Sequence, residues 1–254
     1  METNYESLTS RNCVYIDKSL QKKISETSIL FAGCGLGSNV ATLAVRTGFR
    51  NFILVDGDTV SYDNLNRQGY DINDVGKFKV EVLKKNILEI NPKSKVNVVK
   101  KYIKKNDVPT LIENSDFIIN TIDYGDTLLD LVTKSRKLHK NVFMPFNVGF
   151  GSIVIIFNKE SEDIMKLLSP LNNINNDKDF YIHLLGKLNL KLPSYLENKL
   201  EKIFDCIDNN KYSPQLGIAS SINASIINTL IIKLIKCESV PLAPNAICTD
   251  FWDK

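Results

Sequence analysis
The stretch Ser28-Ile-Leu-Phe-Ala-Gly33-Cys-Gly35-Leu36-Gly37-Ser38 decides how this chain folds. The apolar run Ile29 to Ala32 predicts a buried strand. Asn39 to Thr47 then carries helical spacing, which Gly48 ends as a C′ glycine. Between strand and helix the glycines have separate tasks. The turn out of the strand needs a residue free of Cβ sterics, and a phosphate can approach the backbone only where no side chain intervenes. The opening turn of the helix offers unpaired N–H groups and the positive end of its dipole to an anion.

Outward from this turn, Phe52 to Val55 is a second apolar run, closed by Asp56 about 20 residues after the first glycine. An acid there suits hydrogen bonding to the hydroxyls of a nucleotide ribose. A glycine turn that only packs a helix tightly on a sheet accounts for Ala41 and Ala44, but not for Asp56. Strand, glycine turn, helix and acid together predict a nucleotide site.

The rest of the chain continues the alternation. Lys77 to Ile90 predicts a helix with Val80, Leu83, Ile87 and Ile90 inward, ended by Asn91-Pro92. Val96 to Ile103 alternates like a strand. Phe117 to Ile122 reads as a buried parallel strand ending at Asp123, and Thr127 to Leu138 as a helix. Val142 to Phe146 and Ser152 to Phe157 are strands joined through the bend Val148-Gly149-Phe150-Gly151. The expected fold class is α/β: a doubly wound, mostly parallel Rossmann-like sheet with a crossover insertion over its ligand edge. Residues 1–254 read as one domain. Residues 1–27 form an N-terminal helical arm with Leu20, Ile24 and Ile16 on one face, and residues 158–213 form the insertion. Within it, 171–179 is polar and turn-prone, and Tyr195 to Ile203 is amphipathic. Gly217 to Ile235 returns to the core with Ile218, Ile222, Ile226, Leu230 and Leu234 at four-residue steps.

Composition narrows the function classes. The 254 residues are 43% hydrophobic, enough to fill a large core, and the net charge of +3 is too mild to argue for a nucleic-acid partner. Five cysteines form no Cys-x-x-Cys pair, so a structural zinc clip is unsupported. The N-terminus lacks a basic-then-apolar signal pattern, which predicts a cytoplasmic protein. The longest greasy stretch is interrupted by Ser220, Ser221, Asn223, Asn228 and Lys233, which fits a buried or interfacial helix rather than a membrane span.

The polar residues after the glycine turn say more. A dehydrogenase needs the turn, the ribose acid and a hydride site, but no dense set of triphosphate ligands. This chain supplies such a set in Asn64, Asn66, Arg67 and Gln68, then Lys79 at a helix start and Asp123 at a strand end. When a carboxylate attacks the α-phosphorus of ATP, charge on the phosphate oxygens must be met by positioned cations, with one carboxylate holding magnesium. Arg67 offers a fork that matches phosphate geometry, Lys79 a point charge.

The run Asp56-Gly-Asp58-Thr-Val60, then Asn64-Leu-Asn66-Arg67-Gln68, Gly76-Lys-Phe-Lys79 and Ile90-Asn91-Pro92 resembles the ThiF/MoeB/HesA family, bacterial relatives of ubiquitin-activating enzymes. The likeness covers residues 5–157 and, weakly, 214–250. It implies ATP- and Mg2+-dependent adenylation of a C-terminal carboxylate on a small ubiquitin-like protein or peptide, releasing pyrophosphate. By that resemblance Gly33, Gly35, Leu36 and Gly37 form the nucleotide loop and Asp56 binds ribose. Asn64, Arg67 and Lys79 hold phosphates, with Gln68 and Asp58 beside the nucleotide, and Asp123 holds the metal. Arg11 resembles an N-terminal arginine that reaches across a homodimer into the partner's site; alternatively it is a solvated surface residue.

The chain also departs from the family pattern. Asp63 stands where Ser is common, Tyr124 where Asn often follows the magnesium aspartate, and the paired Cys-x-x-Cys motifs are absent. Cys206 is the one cysteine in the insertion, where some relatives carry a thioester-forming nucleophile. These departures favour an acceptor that is a peptide or small protein. The alternatives are a relative of tRNA threonylcarbamoyladenosine dehydratase, a nucleotide-binding scaffold without turnover, and an NAD-dependent oxidoreductase.

Overall fold
The computed structural model describes residues 5–171, 174–210 and 212–252. The first four residues of the expected arm, Asn172 and Asn173 of the polar stretch, Lys211, and the last two residues lie outside the described residues. Seven strands form one sheet: β1 (Ser28–Ala32), β2 (Asn51–Val55), β3 (Lys95–Val99), β4 (Phe117–Asn120), β5 (Asn141–Val148), β6 (Gly151–Phe157) and β7 (Ala246–Thr249). Their order is β3-β2-β1-β4-β5-β6-β7, with β1 to β5 parallel and β6 and β7 antiparallel.

The central strands are apolar on both sides because helices cover both faces. Ile29 and Phe31 of β1 enter one core while Leu30 and Ala32 enter the other, as the period-two alternation of a strand requires. The first core is closed by α2 (Lys18–Glu26), α3 (Gly37–Thr47), α4 (Lys79–Ile90) and α11 (Gly217–Ile235), with the short α1 (Tyr5–Thr9) at its margin. The second is closed by α5 (Val108–Glu113), α6 (Asp126–Lys137), α7 (Ile164–Leu167) and α8 (Asp177–Lys187). Two further helices, α9 (Ser194–Glu197) and α10 (Leu200–Asn210), follow α8. Arg136 on α6 ties down the start of the 158–213 segment. It pairs with Asp163 at 2.6 Å and donates to the carbonyls of Asn158 and Ser161 at 2.8 and 2.7 Å.

The sheet is doubly wound and mostly parallel, as expected. Chain order reverses between β1 and β4, and the crevice at their carboxyl ends is where open α/β sheets collect ligands. Gly48 ends α3 at φ +110°, its N–H reaching the carbonyls of Ala44 and Val45.

Three expectations need correction. The strand expected over 96–103 stops at Val99, because its neighbour β2 ends at Val55 and offers no further ladder partner. The strand expected to end at Ile122 stops at Asn120 for the same reason at the end of β1. The third concerns α11. Its buried face is Ala219, Ser220, Asn223, Ala224, Ile227, Asn228, Leu230 and Ile231, while Ile218 is exposed. Steps of four residues drift about 40° each around a helix of 3.6 residues per turn, so the stripe crosses the margin of the interface: Ile218 lies outside, Leu230 inside, and Ile222, Ile226 and Leu234 are half-buried. The buried asparagines hydrogen-bond across the interface there. Asn223 donates to Asn147 Oδ1 at 2.7 Å and accepts from the Ser152 hydroxyl, and Asn228 donates to the Val40 carbonyl at 3.2 Å.

Candidate functional site
The glycine turn closes β1 against two neighbours. Gly33, at φ +94°, lies so close to Thr121 that a Cβ there would stand 2.5 Å from its hydroxyl oxygen. Its N–H donates to the Val55 carbonyl at 2.9 Å. The Asp56 carboxylate is committed to the backbone: one oxygen accepts from Cys34 N–H at 2.7 Å, the other from Asp58 N–H at 2.8 Å. Asp56 therefore braces the glycine loop and still has lone pairs for hydroxyls.

The opening turn of α3 holds the polar loop that follows β2. Asn39 donates to the Arg67 carbonyl at 2.6 Å, and Gly69 N–H donates to the Ser38 hydroxyl at 2.8 Å. The Tyr70 hydroxyl, buried, donates to the Cys34 carbonyl at 2.6 Å. These ties fix Arg67 and Gln68 over the glycine turn, although more than 25 residues of chain separate them.

Between these elements and the ends of β4 and β5 lies a cavity of about 430 Å³. Gly33, Gly35, Leu36, Asp56, Asp58, Arg67, Gln68, Lys79 and Asp123 all line it. Lys79, only 7% exposed, pairs with Asp58 at 3.0 Å, and the Tyr102 hydroxyl donates to the same carboxylate at 2.6 Å. Burial pushes the Asp58 carboxyl up, but the Tyr102 and Lys79 bonds outweigh it and hold the group below the usual carboxylate range. Asp123 goes the other way. Burial, then the carboxylates of Asp177 and Asp58, push it up against the opposing pull of Lys79. A carboxylate raised by carboxylate neighbours sits where an added cation would relieve repulsion. Among the described residues no cluster of three or more His, Cys, Asp or Glu could hold a metal by itself. One carboxylate with oxygens from a bound phosphate and water still suits Mg2+, which keeps several waters.

Three expected residues stand apart from this lining. Gly37 opens α3 and packs on the sheet, where a Cβ would meet Phe31 at 3.4 Å. Asn64, expected on phosphates, is buried and turned into its own loop. Its Oδ1 accepts from Ser61 N–H at 3.3 Å and its Nδ2 donates to Asp63 at 3.4 Å, closing a capping box. Arg11 lies exposed in a short helical turn, Ser10–Asn12, and is not among the residues lining the cavity. Cys206 lines neither this cavity nor the one beside it.

Three residues that line the cavity carry buried polar atoms without a hydrogen-bond partner: Arg67 Nε, Gln68 Oε1 and both side-chain atoms of Asn120. Leaving such groups unpaired costs about 1–3 kcal/mol each, so their convergence marks a place for a polar ligand.

The ThiF family profile matches residues 9–252. The chain belongs to the ThiF family. It is 33% identical over 158 residues to a probable molybdopterin-synthase adenylyltransferase of Gracilaria tenuistipitata var. liui, covering 61% of this chain and 44% of that one. It is 30% identical over 149 residues to tRNA threonylcarbamoyladenosine dehydratase 1 of Saccharomyces cerevisiae, covering 56% and 35%. The chain thus spans less than half the length of these relatives. In fold it is similar to E. coli MccB crystallised with succinimide, at TM-score 0.69 and 20% identity over 99% of this chain and 68% of that one. It is also similar to E. coli tRNA N6-threonylcarbamoyladenosine dehydratase, TcdA, at TM-score 0.65 and 17% identity over 91% and 95%.

In this ThiF-family chain, sequence reasoning missed Asn120, Tyr102 and Asp177. Asn120 left one signal, a lone amide ending the apolar run Phe117-Ile-Ile-Asn120. Tyr102 and Asp177 left none, because each arrives at the site from an element distant in sequence.

Proposed function
We propose that this protein adenylates a carboxylate at the C-terminus of a peptide or small ubiquitin-like protein, using ATP and Mg2+ and releasing pyrophosphate. The observation that carries this reading is the convergence of unpartnered Arg67, Gln68 and Asn120 atoms over the glycine turn, beside Lys79. An acceptor carboxylate oxygen bonds to the α-phosphorus, the bond to the bridging oxygen of the β-phosphate breaks, and pyrophosphate leaves. Gly33 and Gly35 give the nucleotide access to the backbone, and Asp56 accepts from ribose hydroxyls. Arg67 and Lys79 offset the charge that grows on phosphate oxygens, in a half-enclosed site where such contacts are stronger than in water. Asp123 would hold Mg2+, which supplies further charge neutralisation.

Residues 1–254 act in this reading as one adenylation domain, with 1–27 as an arm and 158–213 as a cover over the ligand edge. A homodimer belongs to the same proposal. Arg11 is exposed, as are Val14 and Tyr15 three and four residues on, at 94% and 87%, and a second copy would bring an Arg11 to the site. A cytoplasmic location is proposed with it. ATP–pyrophosphate exchange with peptide acids tests the activity. No exchange with any peptide acid overturns it, exchange that survives Arg67→Ala or Asp123→Ala removes that residue from the mechanism, and nucleotide bound without exchange for any acceptor points to a scaffold.

A second reading, dehydration of a threonylcarbamoyl group on tRNA, draws on the 30% identity to the yeast dehydratase. Incubation with modified tRNA and ATP, followed by mass spectrometry for the loss of water, separates the two.

A further inference from the structure
A second cavity, of about 510 Å³, adjoins the first. Leu36, Pro145, Phe146, Tyr181 and Gln215 line both, so the two share a wall at the end of β5. Their chemistry is opposite. The first is lined by aspartates, an arginine and a lysine; the second mainly by aliphatic and aromatic side chains.

The outer wall comes from α10. Leu200, Ile203, Phe204 and Ile207 fall at the i, i+3, i+4, i+7 spacing of one helix face and all line the second cavity. None of the four is fully buried. An amphipathic helix ordinarily spends such a stripe on the core; here the stripe faces a space. Ile182 and Leu185 of α8 line it from another side.

The floor is a strand edge. β5 pairs with β4 only from Asn141 to Phe143, but continues to Val148 with β6 on its other side. Among the described residues no strand covers β5 from Met144 to Val148 on the β4 side. Pro145, which lacks an N–H, falls in this stretch, as suits an unpaired edge. An extended peptide can add to such an edge through its main chain while alternate side chains enter pockets.

We propose that the second cavity binds the last residues of an acceptor polypeptide bearing large apolar side chains. Its main chain runs along β5, its side chains lie under α10, and its carboxylate enters the first cavity past Phe146 and Tyr181. The proposal rests on the adenylation reading and adds the acceptor's side-chain class. A tail of glycines would leave the α10 stripe in contact with water; leucine, isoleucine or phenylalanine would cover it. A free fatty acid would fill the space but leave the β5 edge unpaired, which favours a polypeptide.

The test uses the full chain with three fluorescein-labelled hexapeptide acids, identical except for ending in Leu-Leu, Gly-Gly or Asp-Asp, and with unlabelled dodecanoate as competitor. Binding is read by anisotropy and turnover by ATP–pyrophosphate exchange. The Leu-Leu peptide should bind about tenfold or more tightly than the Gly-Gly peptide, the factor that burial of one large apolar side chain provides. Ile203→Glu should erase that difference, as should Ile207→Trp, which fills the space without adding charge; ATP binding reports that each variant is folded. Equal binding of the Leu-Leu and Gly-Gly peptides overturns the proposal, as does a preference that persists in both variants. Dodecanoate competing as strongly as the Leu-Leu peptide reassigns the cavity to an acyl chain. Exchange supported equally by all three peptides removes the cavity proposal and keeps adenylation. Variant-sensitive binding of the Leu-Leu peptide without exchange does the reverse.

Discussion

Gly33→Ala puts a methyl group where the glycine turn crosses the end of β4. The new Cβ would stand 2.5 Å from the Thr121 hydroxyl oxygen and 2.9 Å from the Thr121 carbonyl oxygen, in a backbone held at φ +94°. The left-handed conformation alone costs an L-residue about 1–2 kcal/mol. Forcing a methyl into a filled space adds about 1–3 kcal/mol. The expected loss is therefore about 2–5 kcal/mol, which a domain of ordinary stability survives in weakened form. Relief by moving the turn would break the bond from Gly33 N–H to Val55 and draw Cys34 N–H away from Asp56, so ATP affinity should fall with stability. Urea denaturation followed by circular dichroism gives the first quantity and calorimetric titration with ATP the second. Adding Thr121→Ala should recover only part of the loss, because the carbonyl contact remains. A Gly33→Ala protein within about 0.5 kcal/mol of wild type, the range of an ordinary surface change, and with unchanged ATP affinity would refute the steric argument.

Arg67→Ala should lower exchange by about 10²–10³-fold, the effect of removing one transition-state donor, with little change in the urea midpoint. Asp123→Asn should abolish exchange yet raise the thermal midpoint at neutral pH. The folded state holds that carboxyl above its ordinary value, so its charged form opposes folding once pH rises through the folded pKa. The gain should vanish below about pH 4, where both side chains are neutral, and melting curves across pH read it directly. Asn223→Ala orphans Asn147 Oδ1 and the Ser152 hydroxyl inside the α11 interface, and should cost about 1–3 kcal/mol in urea denaturation with ATP binding retained.

Much of the first half of the fold is written locally. An apolar run, a glycine turn, a helix ended by Gly48 and an acid after the next run are each set by neighbours in sequence, through backbone sterics and strand or helix period. That is why β1, α3, β2 and the position of Asp56 were legible, and why Arg67 and Lys79 stood out as cations beside them. Tertiary structure decided the rest, because it depends on which surfaces meet. The four-residue stripe of α11 looks like a core face in one dimension, yet helix geometry leaves Ile218 outside and only Leu230 fully inside, and the asparagines turn inward to partners on β5, β6 and α3. Asn64 carries a phosphate ligand's spelling but closes its own loop. Asn120 and Tyr102 reach the site because β1 to β4 end at one level of the sheet, and the space beneath α10 lies beside β5, which runs on past its β4 partner; the relative heights of strand ends are settled by pairing across the sheet, not by any one stretch of chain.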